Sequence, residues 1–181
     1  MTDGRQPLSS RPRGSARPRS AVGDDELRVA WTRWLGVLRV RGWDPVPVLR
    51  PGAAPSAIAA AEQTVGRALP DPVRALYAST DGQADPAEVG GPVLFPARRF
   101  CSLDAAVELW RAREGEDRWP LAAGAAGGLL LLDEQGRVVG SGSGVLADGI
   151  VDYLGLLSVA ELEGPGSDRD GAVVWDAPGL R

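Results

Sequence analysis

Residues 54–83, APSAIAAAEQTVGRALPDPVRALYASTDGQ, decide the fold. They read as two short helices with a tight turn between them. Pro55 and Ser56 open the first, because a proline in the first helical turn gives up an N–H that has no intrahelical acceptor. Ile58, Ala61, Glu62, Val65 and Leu69 follow at helical spacing, with Ile58 and Val65 on one apolar ridge. Leu69-Pro70 is expected to close this helix, since proline pushes the preceding residue out of the α region. Asp71 is then expected to cap a second helix with Pro72 at its first position. Val73, Leu76 and Tyr77 form its buried face. Asp81-Gly82 is expected to stop it, Gly82 supplying a left-handed turn. Glu62, an acid among apolar neighbours, reads as a hydrogen-bonding residue that fixes its helix against the adjoining turn.

Upstream, Leu27, Ala30, Trp31, Trp34, Leu35 and Leu38 recur at the spacing of an amphipathic helix, with Arg28, Arg33, Arg39 and Arg41 on the other face. Asp24-Asp25-Glu26 suits its first turn, where the helix dipole favours acids, and Gly42 ends it. Trp31 and Trp34 lie on the apolar stripe and therefore read as core. The proline-rich stretch 43–55 is expected to be extended and tethered by Trp43. Residues 1–22 are Arg, Pro, Ser and Gly with almost nothing apolar, the composition of a disordered leader. No aromatic interleaves its arginines, so it makes a poor nucleic-acid platform.

Downstream, 83–92 is an acidic, Gly-rich loop, and a short strand is expected at 93–95. Ser102 caps a helix lined by Leu103, Ala106, Val107 and Trp110. Glu114, Glu116 and Asp117 form an acidic loop. The run GGLLLLD, 127–133, reads as a buried strand, and Glu134-Gln135-Gly136 turns it into a hairpin with 137–140. Residues 140–144 are expected to be a flexible loop. Residues 150–162 form a last helix, and the tail 164–181 ends in Val173-Val174-Trp175, either an edge strand or a loose sticky end.

Composition removes most catalytic chemistries. The chain has no histidine, and all 20 of its basic residues are arginine. That excludes imidazole bases, His metal ligands, Schiff-base lysines and a P-loop lysine. The single cysteine, Cys101, excludes an internal disulfide and a Cys-based zinc site. With no base beside it, Cys101 reads as a structural thiol. Two-carboxylate chemistry is the main enzymatic route left. The Pro, Gly, Ala and Arg richness fits coding bias of a GC-rich bacterial genome. No apolar run approaches the roughly 20 residues of a membrane span, and no apolar segment follows the N-terminal arginines as in a signal peptide. A reducing cytoplasm suits the chain.

Net charge is −4 overall. Arg5, Arg11, Arg13, Arg17 and Arg19 stand against Asp3 in the first 20 residues, leaving 15 arginines against 23 acids, a net of −8, in the rest. Such a body favours a basic partner and disfavours nucleic acid, except through those five arginines. The glycine clusters at 124–128 and 140–144 do not match dinucleotide or P-loop spacing and read as turns. The acids Asp133-Glu134 and 114–117 show no EF-hand spacing and read as a solvated rim, or as a docking rim for a cationic protein.

The pattern carried by Ile58, Glu62, Gly66, Leu69, Pro70, Leu76, Tyr77, Asp81 and Gly82 resembles the entry motif of the SMI1/KNR4 (SUKH) superfamily. Trp119, Pro120, Leu121, Ala122, Gly127, Gly128, Leu132, Asp133, Gly136, Tyr153, Leu154 and Leu157 match its later motifs in order, so the resemblance covers about residues 27 to 163. Ala125-Ala126 departs from the more polar turn usual there, and the leader and tail lie outside it. The resemblance implies an α+β domain over 23–163, a central, mainly antiparallel sheet with helices packed on it. It also implies a non-enzymatic recognition protein with no cofactor, metal or catalytic residue: an immunity protein that binds a basic bacterial toxin domain. Asp81, Asp85, Glu88, Glu114, Glu116 and Asp117 are the expected contact residues. A scaffold or adaptor tethered through the Arg-rich arm is the alternative. Neither the sequence nor the resemblance fixes the oligomeric state.

Overall fold

Consecutive strands joined by short turns must pair antiparallel, because a parallel partner needs a long crossover. The computed structural model, which describes residues 20–84, 93–113, 116–163, 167–169 and 172–174, is built on such pairs. α1 (Ser20–Val40), a 3-10 turn (Val46–Val48), α2 (Pro55–Val65) and α3 (Asp71–Ser79) precede β1 (Arg99–Phe100) and α4 (Leu103–Arg111). Then come β2 (Trp119–Ala123), β3 (Leu129–Leu132), β4 (Val138–Gly140), β5 (Gly144–Ala147) and α5 (Ile150–Glu163). The five strands form one sheet in sequence order, every pair antiparallel. The fold is α+β, with helices packed on this sheet.

The four leucines of β3 are all buried, and they divide by the two-residue period of a strand. Leu130 and Leu132 join the main core with Leu121 and Val138. Leu129 and Leu131 join Val139 on the opposite face, against Leu109 and Ala123. A strand covered on both faces needs a continuous apolar run, which explains LLLL where a half-exposed strand would alternate. Tyr77, Phe100 and Trp119 stack at the centre, with Trp31, Phe95 and Tyr153 around them.

α1 buries Leu27, Trp31, Trp34, Val37 and Leu38. Trp34 is core as expected, its Nε1–H donating to the Leu94 carbonyl at 3.2 Å. The helix begins at Ser20, so Asp24-Asp25-Glu26 lies inside it and the expected first turn is displaced. Residues 1–19 of the expected leader lie outside the described residues, and 20–22 already belong to α1.

The opening stretch holds two helices, with different stops from those expected. α2 ends before Leu69-Pro70, at Gly66, whose φ of +75° is left-handed; the Gly66 and Arg67 N–H groups both donate to the Glu62 carbonyl. Glu62 acts as expected: its Oε1 accepts from the Leu69 N–H at 2.9 Å and lies 3.3 Å from Arg74 Nε, tying α2 to the turn. Asp71 is already helical and makes no capping bond; Pro70 precedes it as the cap residue. α3 stops at Ser79, before Asp81-Gly82.

Two strand expectations also change. Residues 93–95 form no strand: Phe95 bridges to Arg98, and the strand is Arg99–Phe100. The loop expected at 140–144 contracts to a turn at 141–143, and Gly144 starts β5. In the tail, β6 (Ser167–Arg169) and β7 (Ala172–Val174) pair with each other in a separate two-stranded ribbon. Val173 and Val174 therefore pair with β6 and not with an edge of the five-stranded sheet, while Trp175 lies outside the described residues. Among the described residues, no helix is long and apolar enough to cross a membrane.

Candidate functional site

The cross-strand pair Trp119–Leu132 places the residues before β2 beside those after β3. Glu116, Asp117 and Arg118 thereby meet Asp133, Glu134, Gln135 and Arg137 around an open cleft of about 430 Å³. Four carboxylates face two guanidiniums in this lining.

The carboxylates differ in freedom. Asp133 Oδ1 accepts from the Gln135 and Arg137 N–H groups at 3.0 and 2.9 Å, and its Oδ2 accepts from Arg137 Nε at 2.7 Å. Its side chain is only 11% exposed and pins the β3–β4 turn. Burial raises its pKa, but the Arg137 hydrogen bonds and charge, with the Gln135 N–H, outweigh that and hold it below the usual aspartate value. Glu116 pairs with Arg113. Among the described residues Asp117 and Glu134 have no ion-pair partner, so their charge is available to a ligand.

The depressed Asp133 pKa sets a pH dependence. A carboxyl with a lower pKa folded than unfolded stabilises the fold above its unfolded pKa, and this is lost as pH falls through the folded value. Asp133→Asn is therefore expected to be less stable than the parent at pH 7, with the gap narrowing as both are acidified below the normal aspartate range. Urea midpoints measured along that range check it; a gap that stays constant contradicts it.

Of the expected contact residues, Glu116 and Asp117 line the cleft. Asp81 does not: its Oδ1 accepts from the Leu103 N–H at 2.8 Å, beside Ser102 Oγ, which accepts from Ala105 N–H at 3.3 Å. Asp81 helps cap α4, whereas the cleft lies beyond that helix's last turn. An acid at an orphaned helix N-terminus satisfies an amide that has no intrahelical acceptor, which gives Asp81 a structural role at α4, apart from the 116–137 cleft. Asp85, Glu88 and Glu114 lie outside the described residues. Asp133 and Glu134, read from the sequence as a solvated rim or a docking rim, join Glu116 and Asp117 in the cleft, whereas Arg118 and Arg137 are not among the expected contacts. Their signal was the strand register, with its irregularity between Pro120 and Ala122, and spacing alone does not give it.

Other reactive groups are sequestered. Cys101 is buried, and desolvation pushes its thiol up to about 11 despite nearby Arg99. Burial also raises the Tyr77 hydroxyl, which accepts from Trp119 Nε1 at 3.3 Å. Among the described residues no three Cys, Asp or Glu side chains cluster in a way that suits a metal. No family model matches the chain, and no curated protein matches it in sequence.

Proposed function

We propose that this chain is a non-catalytic protein-binding domain, an immunity protein of SUKH type that covers a basic bacterial toxin domain in the cytoplasm. The observation that carries the reading is the acidic cleft at one end of the β2–β3 pair, where Asp117 and Glu134 have no ion-pair partner among the described residues. The motif resemblance over residues 27 to 163 supplies the functional class. Charge complementarity of this kind accelerates encounter and selects partners more than it sets affinity. The cleft is open, and Asp133 within it is held below the usual aspartate value, whereas a general acid working near neutral pH needs a raised pKa. Recognition fits that chemistry better than turnover.

The test is a comparative capture from the native host, with the parent chain and a Glu116→Arg, Asp117→Arg, Glu134→Arg variant as baits. A basic toxin domain retained by the parent and lost by the variant is the expected result, with association slowed at least about tenfold at low salt. Recovery of the same proteins by both baits, or of no basic domain, contradicts the reading.

A further inference from the structure

α5 is apolar on two sides. Ile150, Tyr153, Leu154 and Leu157 are buried in the core. On the opposite side Leu156, Val159 and Leu162 are 52%, 42% and 54% exposed. A surface helix ordinarily turns polar residues outward, and one apolar all round is ordinarily covered. Val29 of α1, 62% exposed, extends the same surface, because α1 packs along α5.

The surface is a trough. A groove of about 420 Å³ between α1 and α5 has Val29, Ala30, Val151 and Gly155 in its lining. It meets a second hollow, of about 480 Å³, through Val151 and Gly155, which line both. A Cβ added at Gly155 would meet nothing within 4 Å, so an occupant can approach the α5 backbone closely. The rim is acidic: Asp25 and Glu26 on one side, Asp148 and Asp152 on the other, against Arg33. Asp25 pairs with Arg28, but both side chains are more than 70% exposed, so solvent screens that pair. None of these residues belongs to the 116–137 cleft.

Charge selects the occupant. A second copy would set the same acidic rim against itself across a twofold axis. An apolar floor between acidic rows fits a helix with an apolar ridge flanked by cations, the helix-in-groove mode. α5 has 14 residues, so about 21 Å of partner helix, roughly four turns, matches it. We propose that this trough binds an amphipathic basic helix of another protein, its apolar ridge on Leu156 and Val159 and its cations against Glu26, Asp148 and Asp152.

The probe is a fluorescein-labelled 16-residue helical peptide with a leucine ridge and lysine flanks, titrated against the full chain by anisotropy. Saturable binding is expected. Leu156→Asp or Val159→Asp should weaken it at least tenfold, with an unchanged thermal midpoint because both side chains are exposed. The same peptide with glutamate flanks should not bind. The triple reversal in the 116–137 cleft should leave binding intact, so this proposal and the toxin reading fail separately. Absence of binding, or indifference to Leu156→Asp, overturns it. So does concentration-dependent dimerisation abolished by Leu156→Asp, which would make a second copy the occupant. Binding that appears only when Arg5, Arg11, Arg13, Arg17 and Arg19 are replaced by Gln overturns it too, because the chain's own N-terminal residues would then hold the trough.

Discussion

Trp119→Ala is expected to lower the unfolding free energy by about 3–5 kcal/mol, the range for truncating a large buried aromatic. Trp119 is fully buried, packs edge-on against Tyr77 with centroids 6.2 Å apart, and donates its Nε1–H to the Tyr77 hydroxyl. The substitution leaves a cavity and takes away the hydrogen bond that the buried Tyr77 hydroxyl accepts. Trp119 also begins β2 and pairs with Leu132, so it holds Glu116 and Asp117 beside the β3–β4 turn. The variant should therefore lose partner capture at temperatures where it is still folded. Trp119→Phe keeps most of the ring volume and should lose only about 1–2 kcal/mol. Urea denaturation followed by far-UV circular dichroism measures both. A Trp119→Ala loss below about 1 kcal/mol would show that the centre of the core is not where the packing places it.

Gly82→Ala is expected to cost about 3–5 kcal/mol, the sum of a left-handed backbone penalty and a steric displacement. Gly82 has a φ of +78°, and an added Cβ would stand 2.5 Å from the Ser102 nitrogen and 2.7 Å from the Cys101 carbonyl carbon. Both neighbours are backbone, so no side chain can rotate away. The site joins three segments: the Gly82 carbonyl accepts from the Arg50 N–H at 3.1 Å, and the Gln83 N–H donates to the Phe100 carbonyl at 3.0 Å. Displacing it also pulls Asp81 off the Leu103 amide. Gly66→Ala is the control, because its φ of +75° is equally left-handed but its Cβ would meet nothing within 4 Å. It should cost about 1–2 kcal/mol, the left-handed term alone. Equal losses at the two glycines would contradict the close approach of 82 to 101–102.

Gly82 also shows how far the sequence can be read. A glycine after an apolar helical pattern looks like a helix stop, yet its requirement comes from a strand end about 20 residues later. Asp81 misleads for the same reason: an acid beside a glycine looks solvated until α4 is known to begin against it. What the sequence displays clearly is local period. The α1 stripe with Trp31 and Trp34, the α3 face of Val73, Leu76 and Tyr77, and the leucines of β3 all follow from spacing. β1 and β5 lack the continuous apolar run that marks β3: β1 is Arg99–Phe100, and β5 opens on Gly144, so neither stands out from the loops beside it. The cleft was half legible. Glu116 and Asp117 stand out as acids in a loop, but their meeting with Asp133 and Glu134 depends on which residue of β2 faces Leu132.

The proposed recognition of a basic protein domain through the 116–137 cleft, without turnover, has a direct test in the host. Co-expressing the captured domain with this chain, and measuring growth of the host, tests it most directly. Growth restored by the parent chain and lost with Glu116→Arg, Asp117→Arg, Glu134→Arg, the variant remaining folded, is the predicted result. Equal protection by both chains, or none from the parent, would contradict it.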